Sequence, residues 1–106
     1  MTITDIATQG RTDYTNLLQR KETAANADSA GALLEEAGVQ HVINQHLDTL
    51  GEDPAPEQLI AKAQEFEADA QENRSEHPHD AVYLAAAARL DAYAYRLRAA
   101  AERLPA

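Results

Sequence analysis

Tyr83-Leu84-Ala85-Ala86-Ala87-Ala88-Arg89-Leu90-Asp91-Ala92-Tyr93-Ala94-Tyr95-Arg96-Leu97-Arg98-Ala99-Ala100-Ala101-Glu102-Arg103-Leu104 is the stretch that decides the fold class. Tyr83, Leu90, Leu97 and Leu104 recur every seven residues; call that position a. Position d is then Ala86, Tyr93 and Ala100, and position e is Ala87, Ala94 and Ala101. Position g is Arg89, Arg96 and Arg103. A seven-residue apolar repeat keeps one face of an α-helix in line, and charges at its edges select partner and orientation. The stretch therefore reads as a helix from about 80 to 104, with a Leu seam, an alanine flank and an arginine ladder. Pro105 ends it.

Upstream, Asn73-Arg74-Ser75-Glu76-His77-Pro78-His79-Asp80 reads as a connection in which Ser75 or Asp80 caps the last helix. A helix before it carries Leu59, Ala63, Phe66 and Ala70 at 4-3-4 spacing and runs to about Asn73. Glu52-Asp53-Pro54-Ala55-Pro56 is the clearest linker, with Asp53 expected as N-cap and Pro54 at the first helical position. Val42, Ile43, His46, Leu47 and Leu50 share one face of a segment that ends at Gly51, and Leu33, Leu34 and Ala37 mark another that starts near Asp28 or Ser29. Gly38 is expected to separate the two, unless one helix from 29 to 50 tolerates it. Thr12 or Asp13 is expected to cap a first helix through Tyr14, Leu17, Leu18, Lys21 and Ala25, with a break over Asn26–Gly31. Residues 1–11, polar with isolated Ile3 and Ile6, read as a flexible N-terminal tail. No segment alternates with period two. The expected fold is all-α: a small antiparallel helical bundle of four to five helices with short loops, the last helix longest, forming a single helical domain over 12–106.

Composition bounds what such a fold can do. The 106 residues hold 11 Leu, 4 Ile and 3 Val, against 23 Ala. Ala favours helix because it loses no side-chain entropy, but it fills little core. A thin core makes self-association a natural way to bury more apolar surface. There is no Cys, which excludes disulfides and thiolate chemistry. Neither a secretory leader nor a membrane-length apolar run is present, so the cytoplasm is the expected location. Seven Arg against two Lys, with so much Ala, suggests a GC-rich bacterial or phage genome. The net charge of −9 disfavours nucleic acid and anionic membranes, because phosphate contacts need Lys and Arg.

Charge is also unevenly placed. Residues 52–80 carry nine acids and two bases, whereas residues 81–106 carry two acids and four bases. Pairing the last two helices is expected to bring Glu67 and Asp69 towards the arginine ladder. The acidic residues Glu65, Glu67, Asp69, Glu72 and Glu76 are the candidate face for a basic partner.

Chemistry-bearing residues are few. Glu72, Glu76, His77, His79 and Asp80 lie within nine residues, and imidazole with carboxylate can hold a divalent cation. Pro78 splits the histidines and no His-Glu-x-x-His spacing exists, so His77, His79 and Asp80 stand only as weak metal candidates, and no cofactor is expected. His41 and His46 are five residues apart, about 140° on a helix, so one face cannot present both. His46 falls on the apolar face and reads as a packed residue. Nucleophile elbows, phosphate loops and Glu-x-x-His repeats are missing.

Leu33-Leu34-Glu35-Glu36-Ala37-Gly38-Val39 followed by Gln40–Leu47 resembles the helix, glycine turn and helix of helix-turn-helix DNA-binding domains over about fifteen residues. The resemblance implies a turn at Gly38 and a recognition helix after it. This chain departs from the pattern at Asn44, where the family has an apolar residue, and the second helix has no Lys or Arg to anchor phosphates. DNA binding is not expected.

The reading that remains is a non-enzymatic protein-interaction module, homo-oligomeric through its C-terminal helices. Its expected interface is Tyr83, Arg89, Leu90, Tyr93, Tyr95, Arg96, Leu97, Arg103 and Leu104. The alternatives are an acidic inhibitor or nucleic-acid mimic of the phage type binding a basic groove, and a metal- or small-ligand protein using the 72–80 loop.

Overall fold

The computed structural model describes residues 1–105. They form four α-helices and, among the described residues, no strand: α1 (Ile3–Glu22), α2 (Ala27–Asp48), α3 (Pro56–Glu76) and α4 (Ala81–Arg103). The all-α class therefore holds. Contacts divide the chain into two compact units, Met1–Asp53 and Pro54–Ala106. The division falls inside the acidic Pro-containing linker. Each unit is a pair of packed helices, α1 on α2 and α3 on α4.

The first unit departs most from expectation. Residues 1–11 are helix from Ile3 onward, not a tail, and α1 does not wait for Thr12 or Asp13. Thr2 Oγ1 accepts from the Asp5 N–H and the Asp5 carboxylate accepts from the Thr2 N–H, each at 3.1 Å. This reciprocal cap satisfies two backbone donors at the helix start. The same bonds hold the Asp5 carboxyl below the usual carboxylate range. Ile3, Ile6, Ala7, Gly10 and Leu17 are buried along one side. The Ile residues looked isolated because Ala and Gly, not large aliphatics, fill the turns between them and Leu17.

α2 begins one residue before the expected range, with Asn26 Oδ1 accepting from Ser29 N–H at 2.8 Å. It then runs through Gly38 to Asp48 without a break, so the tolerant alternative is the correct one. Gly38 has a negative φ and no atom within 4 Å of where a Cβ would stand, so nothing there demands a turn. The helix-turn-helix likeness lacks its turn. Gly51, by contrast, takes φ of 81°, a conformation that glycine adopts without strain, just after the helix.

Gly10 fits α1 closely to α2. A Cβ there would overlap Asn44 Oδ1 and stand 3.0 Å from Gln40 Nε2. Gln40 is buried and donates to Asn44 Oδ1 at 2.9 Å, so this polar pair is satisfied inside the contact. The Tyr14 and His41 rings lie 5.5 Å apart on the same contact.

In the second unit the start of α3 is shifted. Ala55 is the N-cap and Pro56 the first helical residue, in place of Asp53 and Pro54, and Gln58 Oε1 accepts from the Ala55 N–H at 2.7 Å. Asp80 caps α4 as expected, its Oδ1 accepting from Val82 N–H at 2.9 Å. Ser75 lies within α3 and caps nothing.

Candidate interaction surface on the last two helices

The packed face of α4 is not centred on the Leu seam. Ala87, Ala94 and Ala101 are buried together with Leu97 and Ala100, while Leu90 and Leu104 are half-buried and Tyr83 is exposed. The centre of contact has moved from position a towards the alanines at e. Alanine at the contact lets the α3 backbone come near, and α3 answers with Leu59, Ala63 and Ala70, all fully buried. The shift changes which charges lie at the edge. At about 100° per residue, position b now flanks the contact and position g points away from it.

The ion pairs follow this geometry. Arg98, at position b, meets Glu67 with Nη2 to Oε1 at 2.6 Å and Nε to Oε2 at 3.2 Å. Asp91, also at b, receives Arg74 at 2.5 Å. Glu67 thus pairs with Arg98, which the heptad reading left outside the ladder, and not with Arg89, Arg96 or Arg103. Two-point contact between guanidinium and carboxylate holds the Glu67 carboxyl below the usual carboxylate range and raises the Arg98 guanidinium. Seven residues forward on α4 correspond to seven back on α3.

Glu65, Asp69, Glu72 and Glu76 are exposed and fall within about 60° of one another around α3. Glu67 stands apart from them, so the acidic face has four members on one side and Glu67 on the other. Lys62 donates to Glu65 at 3.0 Å and lies 5.2 Å from the Phe66 ring centre. Phe66 meets Tyr93 edge-on, with ring centres 5.3 Å apart, and both are half-buried.

The other expected interface residues separate into two groups. Leu97 is 1% exposed and belongs to the core of its own unit, so it presents no surface to a partner. Tyr95 is 75% exposed, as the reading that set it off the seam required. Val82, at 76%, and the partly exposed Leu84 are large apolar surface groups outside the expected interface: Val82 falls at g, one heptad before the arginines, and Leu84 at b.

The 72–80 segment takes a structural form. The His77 ring stacks on Tyr83, with centres 3.6 Å apart and planes 13° from parallel. Asp80 is the helix cap. Among the described residues no group of three His, Cys, Asp or Glu side chains could hold a metal ion. His46 is half-buried on α2. A cleft of about 190 Å³ lies between the start of α1 and the end of α2, lined by Ile3, Ala7, Arg11, Leu47 and Asp48 among others. Arg11 and Asp48 approach to 3.8 Å at its rim. It exists because residues from Ile3 onward are helical and packed, where the sequence predicts a tail. No described helix is long and apolar enough to cross a membrane.

No family model, curated protein or solved structure matches this chain.

Proposed function

We propose that this protein is a non-enzymatic interaction module that self-associates through its α3–α4 unit, an antiparallel helical hairpin. The observation that carries the reading is the exposure of large apolar side chains on α4, Val82 and Tyr95 above all, outside a packed face that is already complete. Apolar groups held in water on a helix that also presents arginines at heptad spacing are what a helical partner buries. The imidazole at 77 stacks on Tyr83 and the carboxylate at 80 caps α4, so both have structural contacts that fit this reading. Sedimentation velocity over a range of concentrations tests the reading. The wild-type chain is expected above monomer mass, and Val82→Ser with Tyr95→Ser is expected to shift it towards monomer. A wild-type chain that stays monomeric throughout overturns self-association.

A second reading rests on Glu65, Asp69, Glu72 and Glu76, four exposed carboxylates on one side of α3. Such a row offers a basic groove a surface resembling a phosphate backbone, as an acidic antagonist would. Association of that kind weakens steeply with salt, whereas burial of Val82 and Tyr95 does not.

A further inference from the structure

Two ion pairs join α3 to α4 one heptad apart, and they run in opposite directions. At the first level the base is on α3 and the acid on α4, where Arg74 donates to Asp91. At the second the acid is on α3 and the base on α4, where Glu67 accepts from Arg98. The four charges stand at the corners of a rectangle, with opposite signs along every edge and a sum of zero. Tyr95 on α4 and Gln71 on α3 lie half-way between the two levels. At about 100° per residue, Tyr95 is turned about 40° outward from Asp91, and Gln71 about 40° outward from Glu67, on the same side of the hairpin. Tyr95 is 75% exposed, and Gln71 is exposed too. Each of the four charged side chains keeps between 41% and 45% of its surface open.

A rectangle of alternating charge is complementary to itself when turned end over end. We propose that a second copy of this chain docks on this side of the hairpin, about a two-fold axis that crosses both helices at the level of Tyr95 and Gln71. The proposal rests on the self-association reading and specifies its interface. Such an axis lays α4 on the partner's α4 and α3 on the partner's α3, and it exchanges the two levels. Asp91 then faces the partner's Arg98, and Glu67 the partner's Arg74. Each contact occurs twice, as a two-fold interface requires. No ion pair within either chain has to open, because a carboxylate can accept about four hydrogen bonds and a guanidinium can donate about five. Tyr95 lies beside the axis and meets the partner's Tyr95, so the aromatic ring most open to water becomes the centre of the contact. Two chains of net charge −9 repel one another over most of their surface. Here the approach is attractive at every corner. A helix from another protein would need the same alternation at the same spacing, which a second copy carries by construction.

The test reverses one ion pair at a time, which keeps the bond within the chain and breaks the alternation. Arg74→Glu with Asp91→Arg reverses the first pair; Glu67→Arg with Arg98→Glu reverses the second. Each double variant places like charges opposite one another at every contact of its own dimer. Its dissociation constant, read by sedimentation, is expected to rise roughly tenfold or more. Mixing the two double variants restores opposite charges throughout, and so does combining all four substitutions in one chain. Wild-type affinity is expected in both cases, and that recovery also shows that the variants are folded. Tyr95→Ser alone is expected to weaken the dimer. Double variants that dimerise as tightly as the wild type overturn this geometry while leaving self-association standing. Double variants that stay monomeric after mixing overturn it as well, and so does a Tyr95→Ser dimer of undiminished affinity. A wild-type chain that is itself monomeric overturns both this geometry and self-association.

Discussion

Arg98 donates twice to the Glu67 carboxylate, from Nη2 at 2.6 Å and from Nε at 3.2 Å, across the contact between α4 and α3. A planar guanidinium meeting a carboxylate at two points fixes orientation as well as distance. The pair therefore sets the register in which every other residue of the two helices is placed.

Its pH dependence has a definite sign. Arg98 lowers the Glu67 pKa relative to the unfolded chain, so the pair stabilises the fold fully above the ordinary carboxylate range. That stabilisation fades as pH falls through the lowered value, where Glu67 becomes protonated. Glu67→Gln removes the charge at every pH. The difference in urea midpoint between wild type and Glu67→Gln is expected to be largest near neutrality and to close in acid. A gap that stays constant with pH would show that the pair does not act through ionisation.

Two glycines should respond oppositely to alanine. Gly38→Ala adds a methyl group where nothing lies within 4 Å, in a helix interior, and is expected to stabilise by about 0.5–1 kcal/mol. Gly10→Ala gains the same propensity but drives a Cβ into Asn44 Oδ1 and strains the Gln40–Asn44 bond, at a cost of roughly 1–3 kcal/mol. The cost exceeds the gain, so net destabilisation is expected. Urea denaturation of both variants checks the signs.

The cap of α4 should be sensitive at one residue only. Asp80→Ala removes the acceptor for Val82 N–H and is expected to destabilise by about 1 kcal/mol. Ser75→Ala, inside α3, is expected to change stability by less than about 0.5 kcal/mol. Thermal unfolding monitored by circular dichroism distinguishes the two.

Two residues of the same turn of α4 should separate packing from surface. Leu97→Ala opens space in a fully packed site and is expected to cost about 2–5 kcal/mol. Tyr95→Ala, two residues earlier and three-quarters exposed, is expected to leave stability within about 0.5 kcal/mol. Chemical denaturation of each variant reads both numbers directly.

Local signals in the chain determined the helices: alanine content, heptad spacing from Tyr83 to Leu104, Asp80 as a cap and the Pro-rich linker that divides the two units. These act over a few residues, so they are legible without tertiary contacts. The Thr2–Asp5 cap was equally local and was passed over because Ile3 and Ile6 looked isolated. What only the tertiary structure decided is which side of each helix faces its neighbour. Heptad spacing places Leu97 and Ala94 on adjacent strips, but close approach of α3 favoured the alanines, and that rotation made Arg98 and not Arg96 the partner of Glu67. In the same way Gly38 is permissive in isolation, and only the unbroken packing of α2 on α1 settled that it continues a helix. A glycine or a charge is ambiguous in sequence because its role is set by the backbone that comes nearest to it.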